Sequence, residues 1–503
     1  MSLSERLSVR VAVFASGALL MALEVAAFRI IGKTFGSALR ETTTVIAVFL
    51  AAMAVGYWAG GRVADRRPLS STLAGTLLSA AATVLLVPWA DALLSPLVAR
   101  SGLAMETHAF IVTTLLFAVP TVLFAATSPI AIRLFATTTG ESGSTAGGIS
   151  ALSTTGSIFG SLVTAFFLID WLESITRTVL FVSLGAGATA LLIVLASQAS
   201  RGRRPLAFAS AVAVAVLTVA FVRSTTADRT FTAGGVHGTV VYAGDSPYHR
   251  VTVLDRGPFR ELYFNVAKQG RMRRADPHGP GLPSSDTYHI TPLLRPGVRR
   301  VLVIGLGGGT AAKQFTRFYP EAVVDAVEVD PLVADVARRF FEVKPGPNLR
   351  VHVADGRTFL KRSNEKWDLV IVDAYTTNSY GDTVAAHMVT REFFGEVAEH
   401  LTPNGVVHFH CAFATSPLLP AIQETLRAVF PSVLRTKGEL LASSVPLVLD
   451  REALAARAKA SPAAHLPTLQ EAIAELTPER LPGKAPILTD DYAPVDTLIY
   501  QKR

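Results

Sequence analysis

The chain has 503 residues, half of them hydrophobic, with a mean hydropathy of +0.39 and a formal net charge of +8. It is too long and too apolar for a single soluble domain. Up to Arg223 there are 15 Lys and Arg against 9 Asp and Glu, which leaves 32 against 30 in the remainder. A basic excess that flanks apolar segments is typical of membrane orientation signals, so nucleic-acid binding is not expected. The single cysteine, Cys411, excludes an internal disulfide.

Seven apolar segments in the first part of the chain have about the length that crosses a bilayer. The first follows Arg6 and Arg10, but it is too long for a secretory signal and no small-residue cleavage site ends it. We therefore predict a multi-pass α-helical membrane domain over residues 1–223. Pro120 and Pro129 leave open whether the fourth helix is kinked or divided. The seven segments are residues 9–31, 42–57, 71–90, 108–126, 147–169, 178–196 and 205–222.

Small and charged residues in these segments predict contacts between helices. Glycine and alanine let helices approach closely in lipid, where packing rather than hydrophobicity drives association. Glu24 lies in the middle of the first segment, where an ionisable group is costly and calls for a partner such as Arg29. A polar contact inside the bundle, a transport role and simple snorkelling are the alternatives. The glycines concerned are Gly17, Gly56, Gly60, Gly156 and Gly160.

After residue 223 the hydropathy falls and short strands are predicted. A Gly257-Pro258 turn separates two of them. We assign residues 224–295 to a small β subdomain that ends in a loop, 277–285, rich in Pro, Gly and Ser and expected to border or cover the site. The predicted strands are residues 239–242, 250–254 and 261–264.

From residue 301 the chain alternates apolar strands with helices. This alternation predicts a Rossmann-like domain over residues 296–503, with a parallel sheet and helices on both faces. The predicted strands are residues 301–304, 323–329, 350–353, 369–372 and 406–409.

The first of these strands leads into a glycine-rich loop that opens a helix near Thr310. Gly305, Gly307 and Gly309 let the backbone turn tightly and approach a ligand, and the helix start offers unpaired N–H groups. Dinucleotide sites prefer GxGxxG, but Thr310 occupies the last position here. The loop is therefore closer to the GxGxG of nucleoside-sulfonium binders.

Polar residues follow the strands, at the edge where such sheets bind ligands. Glu328 ends the second strand about twenty residues beyond the glycines, a position that commonly holds ribose hydroxyls. Asp355 and Gly356 follow the third strand, either beside a base or as an ordinary turn. Asp373 follows the fourth strand, where it faces a transferred group or caps the next segment.

Other chemistries are not indicated. His408 and His410 share one face of a strand, but without a spaced carboxylate partner they do not predict a metal site. The chain has no GxSxG elbow and no Walker loop, so acyl transfer and ATP hydrolysis are not expected.

Two further motifs complete a recognisable set: Tyr288-His289 before the first strand, and a helix start at Thr390-Arg391-Glu392-Phe393-Phe394. Together with the glycine loop, Glu328-Val329-Asp330, Asp355-Gly356 and Asp373, they resemble the spermidine synthases, which are polyamine aminopropyltransferases. The likeness covers roughly residues 238–410, and the β subdomain is similar to that family's N-terminal hairpin domain. The whole arrangement resembles the membrane-fused branch of the family.

The resemblance implies a transferase without a tightly bound cofactor. Its co-substrate would be decarboxylated S-adenosylmethionine, its acceptor an amine such as putrescine, and its assembly a homodimer through the β units. An amine must lose its proton before it attacks the carbon next to a sulfonium, so one carboxylate supplies the main proton transfer. The resemblance assigns Asp373 to catalysis, Gly305, Gly307, Gly309, Glu328, Asp355, Gly356 and Gln269 to the donor, and Tyr288, His289, Tyr375 and Asp373 to the amine.

Two departures leave the acceptor and the donor open. Gly308 stands where the family carries an acid that binds the donor's amine, and Thr376 replaces a second Asp in the fourth-strand motif. Asp382 or Asp286 is a candidate to restore the lost charge. The alternatives are a methyltransferase that uses S-adenosylmethionine on a membrane-associated acceptor, and a non-catalytic transport or sensor protein, which Glu24 motivates.

Basic residues between the apolar segments give a conflicting topology. If all seven segments cross the membrane in alternation, every cluster of basic residues falls on the same side of it. The positive-inside rule assigns that side to the cytoplasm. The domain after the seventh span would then face out, although sulfonium nucleosides are kept in the cytosol. We favour a cytosolic domain, with one segment not spanning or the fourth one split, over a domain that faces out. The clusters are Arg6 and Arg10, Arg62 with Arg66 and Arg67, Arg133, and Arg201 with Arg203 and Arg204.

Overall fold

The computed structural model divides the chain into two compact units. The first comprises Met1–Arg229 and Gly244–Pro247, and the second comprises Thr230–Ala243 and Tyr248–Arg503. The predicted boundaries at residues 223 and 295 stay predictions. The structure describes residues 1–35, 39–66, 69–101, 103, 105–136, 142–172, 174–197, 209, 212, 216, 230–233, 236–265, 267–378, 381–412, 416–436, 438–482 and 485–500.

The first unit consists of helices. In the part of the chain that is described, six helices are long and apolar enough to cross a membrane. The predicted seventh span, 205–222, lies almost wholly outside the described residues. The fourth helix is continuous through Pro120 and Pro129, so the prolines do not divide it. The helices are α1 Leu3–Phe35, α2 Leu39–Arg66, α3 Ser70–Ala99, α4 Met105–Phe135, α5 Ser142–Val163, a π-helical turn Thr164–Leu168, α6 Ile169–Leu172 and α7 Ile175–Ala196.

Glycines mark the closest helix crossings, as the sequence predicts. A Cβ at Gly156 or Gly160 would overlap backbone carbonyl oxygens of α1, and one at Gly17 would overlap a carbonyl of α5. Gly56 and Gly60 of α2 lie in the same way against α4. Larger side chains at these positions would push the helices apart.

An ion pair joins two helices of this unit. Lys33 Nζ of α1 lies 3.1 Å from Asp91 Oδ2 of α3. Ser95 donates a 2.5 Å hydrogen bond to the other oxygen of the same carboxylate. The predicted contact between Glu24 and Arg29 stays a prediction.

The second unit begins with a five-stranded antiparallel sheet in the order β1-β2-β3-β4-β5. The three predicted strands and the turn at Gly257, whose φ is +56°, are confirmed. The first and last strands were not predicted. The strands are β1 Thr230–Ala233, β2 Val236–Asp245, β3 Arg250–Arg256, β4 Phe259–Phe264 and β5 Ala267–Arg273.

A seven-stranded sheet with helices on both faces follows, in the order β13-β14-β12-β9-β6-β7-β8. Five strands are parallel, as predicted, but β14 pairs antiparallel with both β12 and β13, so the sheet is mixed. A two-stranded ladder, β10-β11, stands apart from it. The strands are β6 Arg300–Ile304, β7 Val323–Glu328, β8 Leu349–Val353, β9 Trp367–Val372, β10 Tyr375–Asn378, β11 Gly381–Val384, β12 Leu401–His410, β13 Ser432–Thr436 and β14 Glu439–Ser443.

The apolar run of β6 shows why this sheet is covered on both faces. Leu302 and Ile304 belong to one buried cluster, whereas Val301 and Val303 belong to another. A strand buried on both sides is continuously apolar rather than alternating. The helices of this unit are α8 Pro283–Thr287, α9 Ile290–Leu294, α10 Thr310–Phe318, α11 Pro331–Phe340, α12 Gly356–Arg362, α13 Arg391–Glu399, α14 Leu418–Arg427, α15 Arg451–Ala460, α16 Leu469–Glu475 and α17 Val495–Tyr500.

An arginine at the start of α12 holds the C-terminal segment. Arg357 forms paired hydrogen bonds of 2.6–2.8 Å to Glu396 of α13 and to Asp490. Its side chain is buried, and it also donates to the carbonyl of His387. Two bidentate pairs give this network geometric specificity as well as energy.

Replacing Arg357 by Met should lower the melting midpoint of the protein. We expect a cost of about 2 kcal/mol, below the roughly 3–5 kcal/mol for a fully buried pair, because Asp490 is 44% exposed. This corresponds to about 4–8 °C in a domain of this size. Arg357 lowers the pKa of Asp490 to about 2, so the contribution is lost as the pH falls from about 4 towards about 2. Arg338→Met, which breaks an exposed pair with Asp335, is the control, and an equal loss in both variants would contradict this account.

Candidate active site

The glycine loop begins where β6 ends. Gly305, Gly307 and Gly309 have φ values of +99°, +51° and +69°, a region that other residues rarely adopt. A Cβ at Gly305 would also overlap the carbonyl oxygen of Asp373. Gly309 is the N-cap of α10. The predicted tight turn into a helix is confirmed.

Glu328 holds this loop from the end of β7. Its Oε2 accepts hydrogen bonds from the backbone N–H groups of Leu306, at 3.1 Å, and Gly307, at 3.3 Å. Its Oε1 accepts from the N–H of Asp330 at 3.1 Å. Burial raises the pKa of Glu328, and the backbone hydrogen bonds oppose that effect. The carboxylate thus shapes the loop, and its contact with a ribose stays a prediction.

Asp355 caps the helix that follows β8. Its Oδ1 accepts from the N–H of Thr358 at 2.8 Å, and its Oδ2 lies 3.1 Å from His387 Nε2. The hydrogen bond to His387 holds the pKa of Asp355 well below its ordinary value. A Cβ at Gly356 would overlap a methyl group of Ile304, so the backbone is close-packed there. The adenine contacts of both residues stay predictions.

Asp373 follows β9 at the same edge of the sheet. Its N–H donates to the carbonyl of Ile304 at 2.9 Å, which places it against the start of the glycine loop. Burial raises the pKa of Asp373, and nearby His410 and the Tyr288 hydroxyl partly oppose this effect. Burial also raises the pKa of Tyr288, whose side chain is fully buried. Asp373 and Tyr288 therefore lie near each other, and their predicted roles in amine binding stay predictions.

Strand β5 packs beside the glycine loop. A Cβ at Gly270 would lie 3.4 Å from the backbone nitrogen of Gly308, and one at Gly307 would lie 3.8 Å from the carbonyl oxygen of Gln269. The β subdomain thus forms one wall of the loop. Gln269 therefore borders the glycine loop, and its contact with the donor stays a prediction.

His289 lies in a different environment from its neighbour Tyr288. It is fully buried, its Nε2 is 3.1 Å from Gln314 Oε1, and its ring stacks on Phe315 at 4.8 Å. Burial lowers the pKa of His289 to about 4, so the ring is neutral at pH 7. Its contacts are with α10 rather than with Asp373, and its predicted role in amine binding stays a prediction.

Tyr375 lies beside His410. Its hydroxyl donates to the His410 carbonyl oxygen, and the two rings are 5.6 Å apart in an edge-on arrangement. Burial raises the pKa of Tyr375 well above its ordinary value. The side chains of Thr376 and Asp382 lie outside the described part of the structure. Whether Tyr375 contacts an amine stays a prediction.

Glu439 is a site residue that the sequence reasoning missed. It begins β14 and pairs in register with His410, and its carboxylate contacts both His410 and His408. The only signal was a lone acid at the start of an otherwise apolar strand, after Gly438. Its partners depend on an antiparallel pairing that was not predicted.

A model of the spermine/spermidine synthase domain matches residues 284–438. The chain carries a spermine/spermidine synthase domain. This agrees with the predicted family and with the predicted class of enzyme, a transferase. The synthase domain contains the glycine loop, Glu328, Asp355 and Asp373, whereas Glu439 follows its last matched residue.

Curated relatives extend the likeness beyond this domain. The chain is 29% identical over 288 residues to the polyamine aminopropyltransferase of Vibrio vulnificus (strain CMCP6), covering 52% of this chain and 91% of that protein. It is 29% identical over 219 residues to a probable polyamine aminopropyl transferase of Bifidobacterium longum (strain NCC 2705), covering 43% of this chain and 47% of that protein. A crystal structure of a probable spermidine synthase from Corynebacterium glutamicum aligns at 15% identity and a TM-score of 0.39, covering 48% of this chain and 97% of that one.

Proposed function

We propose that this protein is a membrane-anchored aminopropyltransferase that transfers an aminopropyl group from decarboxylated S-adenosylmethionine to an amine. The observation that carries the proposal is the position of Asp373. Its backbone N–H is hydrogen-bonded to Ile304, the last residue of β6, and its carbonyl group packs on Gly305. Asp373 therefore lies at the edge of the sheet where the glycine loop would hold a nucleoside.

Asp373 is the base in this proposal. The protonated amine gives its proton to the carboxylate, and the neutral amine attacks the carbon next to the sulfonium. The carbon–sulfur bond breaks, and methylthioadenosine leaves as a neutral thioether that needs no proton. Burial raises the pKa of Asp373, which makes it a stronger base than an exposed carboxylate. Alignment of the amine with the reacting carbon supplies further acceleration.

The residues of the donor site have distinct tasks in this proposal. Glu328 fixes the loop and offers its remaining lone pairs to the ribose hydroxyls. Asp355 and Gly356 border the adenine, and Gln269 closes the site from β5. No tightly bound cofactor is needed, because the donor is consumed in each turnover.

The buried acid Asp286 is one of two candidates for attracting a cationic amine in this proposal. Its Oδ2 accepts from Thr468 at 2.7 Å, and burial raises its pKa. These contacts make Asp286 part of the packing between α8 and α16. Asp382 is therefore the preferred candidate for the negative charge that is missing at Thr376. In this proposal Asp382→Asn should weaken amine binding, and an unchanged amine affinity would exclude Asp382 from this role.

A methyltransferase is the second candidate. Its support is Gly308, which stands where the resemblance implies an acid for the donor's amine. Ordinary S-adenosylmethionine would then be the donor, and a membrane-associated molecule would be the acceptor.

The site of action in this proposal is the inner face of a membrane. The six apolar helices anchor the synthase domain, and the domain faces the cytosol, where sulfonium nucleosides are kept. A homodimer through the β1–β5 sheet is part of the proposal.

Donor choice separates the two candidates. We expect detergent-purified full-length protein to release methylthioadenosine from decarboxylated S-adenosylmethionine in the presence of diamines, as measured by mass spectrometry. The carboxylated donor should give no S-adenosylhomocysteine above the level of a reaction without protein. Formation of S-adenosylhomocysteine in place of methylthioadenosine would favour the methyltransferase.

A further inference from the structure

Three ionisable side chains form a row across neighbouring strands at the active edge of the sheet. Val372 of β9 pairs with Phe409 of β12, so the next residues along the two parallel strands, Asp373 and His410, are neighbours. His410 pairs in turn with Glu439 of β14. Side chains of residues that pair across strands lie on the same face of a sheet. We call Asp373, His410 and Glu439 the relay row.

Glu439 makes close contacts with two histidines, His410 of the row and its neighbour His408. His410 Nδ1 lies 2.8 Å from Glu439 Oε1, and His408 Nε2 lies 3.3 Å from Glu439 Oε2. The side chain of Glu439 is 2% exposed and that of His408 is fully buried, whereas that of His410 is 19% exposed. His410 is thus the member of this histidine–glutamate group with a path to solvent.

The charge of Glu439 determines which nitrogen of His410 can move a proton. Burial raises the pKa of Glu439, but the two histidines lower it more, and the result lies below the ordinary value. An ionised carboxylate only accepts hydrogen bonds, so His410 Nδ1 donates. Nε2 is then the nitrogen that takes up and releases a proton, since the partner of one ring nitrogen fixes the role of the other.

We propose that His410, oriented by Glu439, takes over the amine proton from Asp373 and releases it to solvent. This inference rests on the proposed function. In the first step the ammonium group loses a proton to the Asp373 carboxylate. In the second step protonated Asp373 passes it to His410 Nε2, which restores the carboxylate and leaves an imidazolium beside Glu439. In the third step the imidazolium gives the proton to water, and the row returns to its starting state.

The row also explains how a buried glutamate is accommodated beside the aspartate that we propose as the base. A lone buried carboxylate would raise the free energy of the fold and repel a second one. The His410 imidazole lies between the two carboxylates, and its positive charge when protonated stabilises the ionised form of both. The titratable groups that face the His410 ring are Asp373, Glu439, His408, Tyr288 and Tyr375.

His410→Gln and Glu439→Gln should each lower kcat at pH 7 by about 10- to 100-fold, which is less than the 10²–10⁴-fold typical of a direct general base. The KM for the donor should stay within about threefold of the wild-type value, because the proposal gives neither residue a contact with the donor. The pH profile of kcat should change shape in both variants. Added imidazole should restore part of the activity of His410→Gly, which a purely structural role would not permit.

A second histidine–carboxylate pair in the same sheet provides the control. His352 Nε2 of β8 lies 3.0 Å from Asp325 Oδ1, and three strands separate β8 from β12. His352→Asn should keep kcat within about twofold. The double variant Asp373→Asn with His410→Gln should be no slower than Asp373→Asn alone, since members of one relay are not additive. Activity of His410→Gln within threefold of wild type at every pH would overturn the proposal.

A measurement without turnover separates this proposal from the proposed function. In ¹³C-histidine NMR spectra of the full-length protein, the His410 signal can be assigned by its loss in His410→Gln. We expect this signal to titrate with a lower midpoint pH in Glu439→Gln and in Asp373→Asn than in the wild type. If the wild-type protein forms no aminopropylated amine, the proposed function fails and this titration decides on the relay row. An unchanged midpoint in both variants would overturn the row.

Discussion

Asp373→Asn should lower kcat for the proposed aminopropyl transfer by about 10²–10⁴-fold, the range typical for the loss of a general base. The amide cannot accept the amine proton, but it keeps the size of the side chain and the backbone hydrogen bond to Ile304. Binding of methylthioadenosine, measured by calorimetry, should therefore stay within a few-fold of the wild-type value.

An exposed aspartate serves as the control for this substitution. Asp335 forms surface ion pairs with Arg338 and Arg339, and Asp335→Asn should leave kcat unchanged. In the wild type, kcat/KM should fall as the pH falls through the pKa of Asp373, which burial places above its ordinary value. Retention of kcat in Asp373→Asn would remove Asp373 from the role of base.

Gly305→Ala is expected to weaken donor binding at least tenfold. The φ of +99° is a conformation that costs other residues about 1–3 kcal/mol, and the new Cβ would overlap the carbonyl oxygen of Asp373. The strand end that positions Asp373 must then move away from the glycine loop. We expect at least a tenfold loss of methylthioadenosine affinity and a lower melting midpoint.

The neighbouring Gly308 provides a matched control. Its φ is not in the positive range, and its new Cβ would meet only the ring of Phe341 at ordinary contact distance. Gly308→Ala should bind methylthioadenosine within about threefold of the wild-type affinity. If Gly305→Ala and Gly308→Ala bind methylthioadenosine equally well, the turn at Gly305 does not determine the shape of the binding site.

The residues at strand ends could be predicted from the sequence, because local pattern determines them. Each of Glu328, Asp355 and Asp373 follows a short apolar run, and parallel strands bring such ends to one edge. The glycine loop was likewise recognisable from its spacing. Their roles in binding and catalysis stay predictions.

The partner of His410 could not be predicted in the same way. A period of two shows that His408 and His410 share a face, but not what lies opposite them. Glu439 reaches them through an antiparallel strand that returns about thirty residues later. The register of such a pairing depends on the hairpin and on packing, which no local pattern contains.

One of the two strands missed in the first sheet, β5, has a compositional cause. β5 contains Lys268, Gln269, Gly270, Arg271 and Arg273, so it lacks the apolar alternation typical of a strand. Its position comes from pairing with β4. In contrast, the close contacts at the glycines of the helical unit were predicted correctly, because small residues in apolar helices have few other uses.

The most direct test of aminopropyl transfer is the product ratio in one reaction. Full-length protein in detergent would receive decarboxylated S-adenosylmethionine, isotopically labelled in the aminopropyl group, and a mixture of diamines. We predict labelled amine and methylthioadenosine in equal amounts by mass spectrometry, both formed at least about 100-fold more slowly with Asp373→Asn. Methylthioadenosine without labelled amine, or neither product from the wild-type protein, would contradict an aminopropyltransferase.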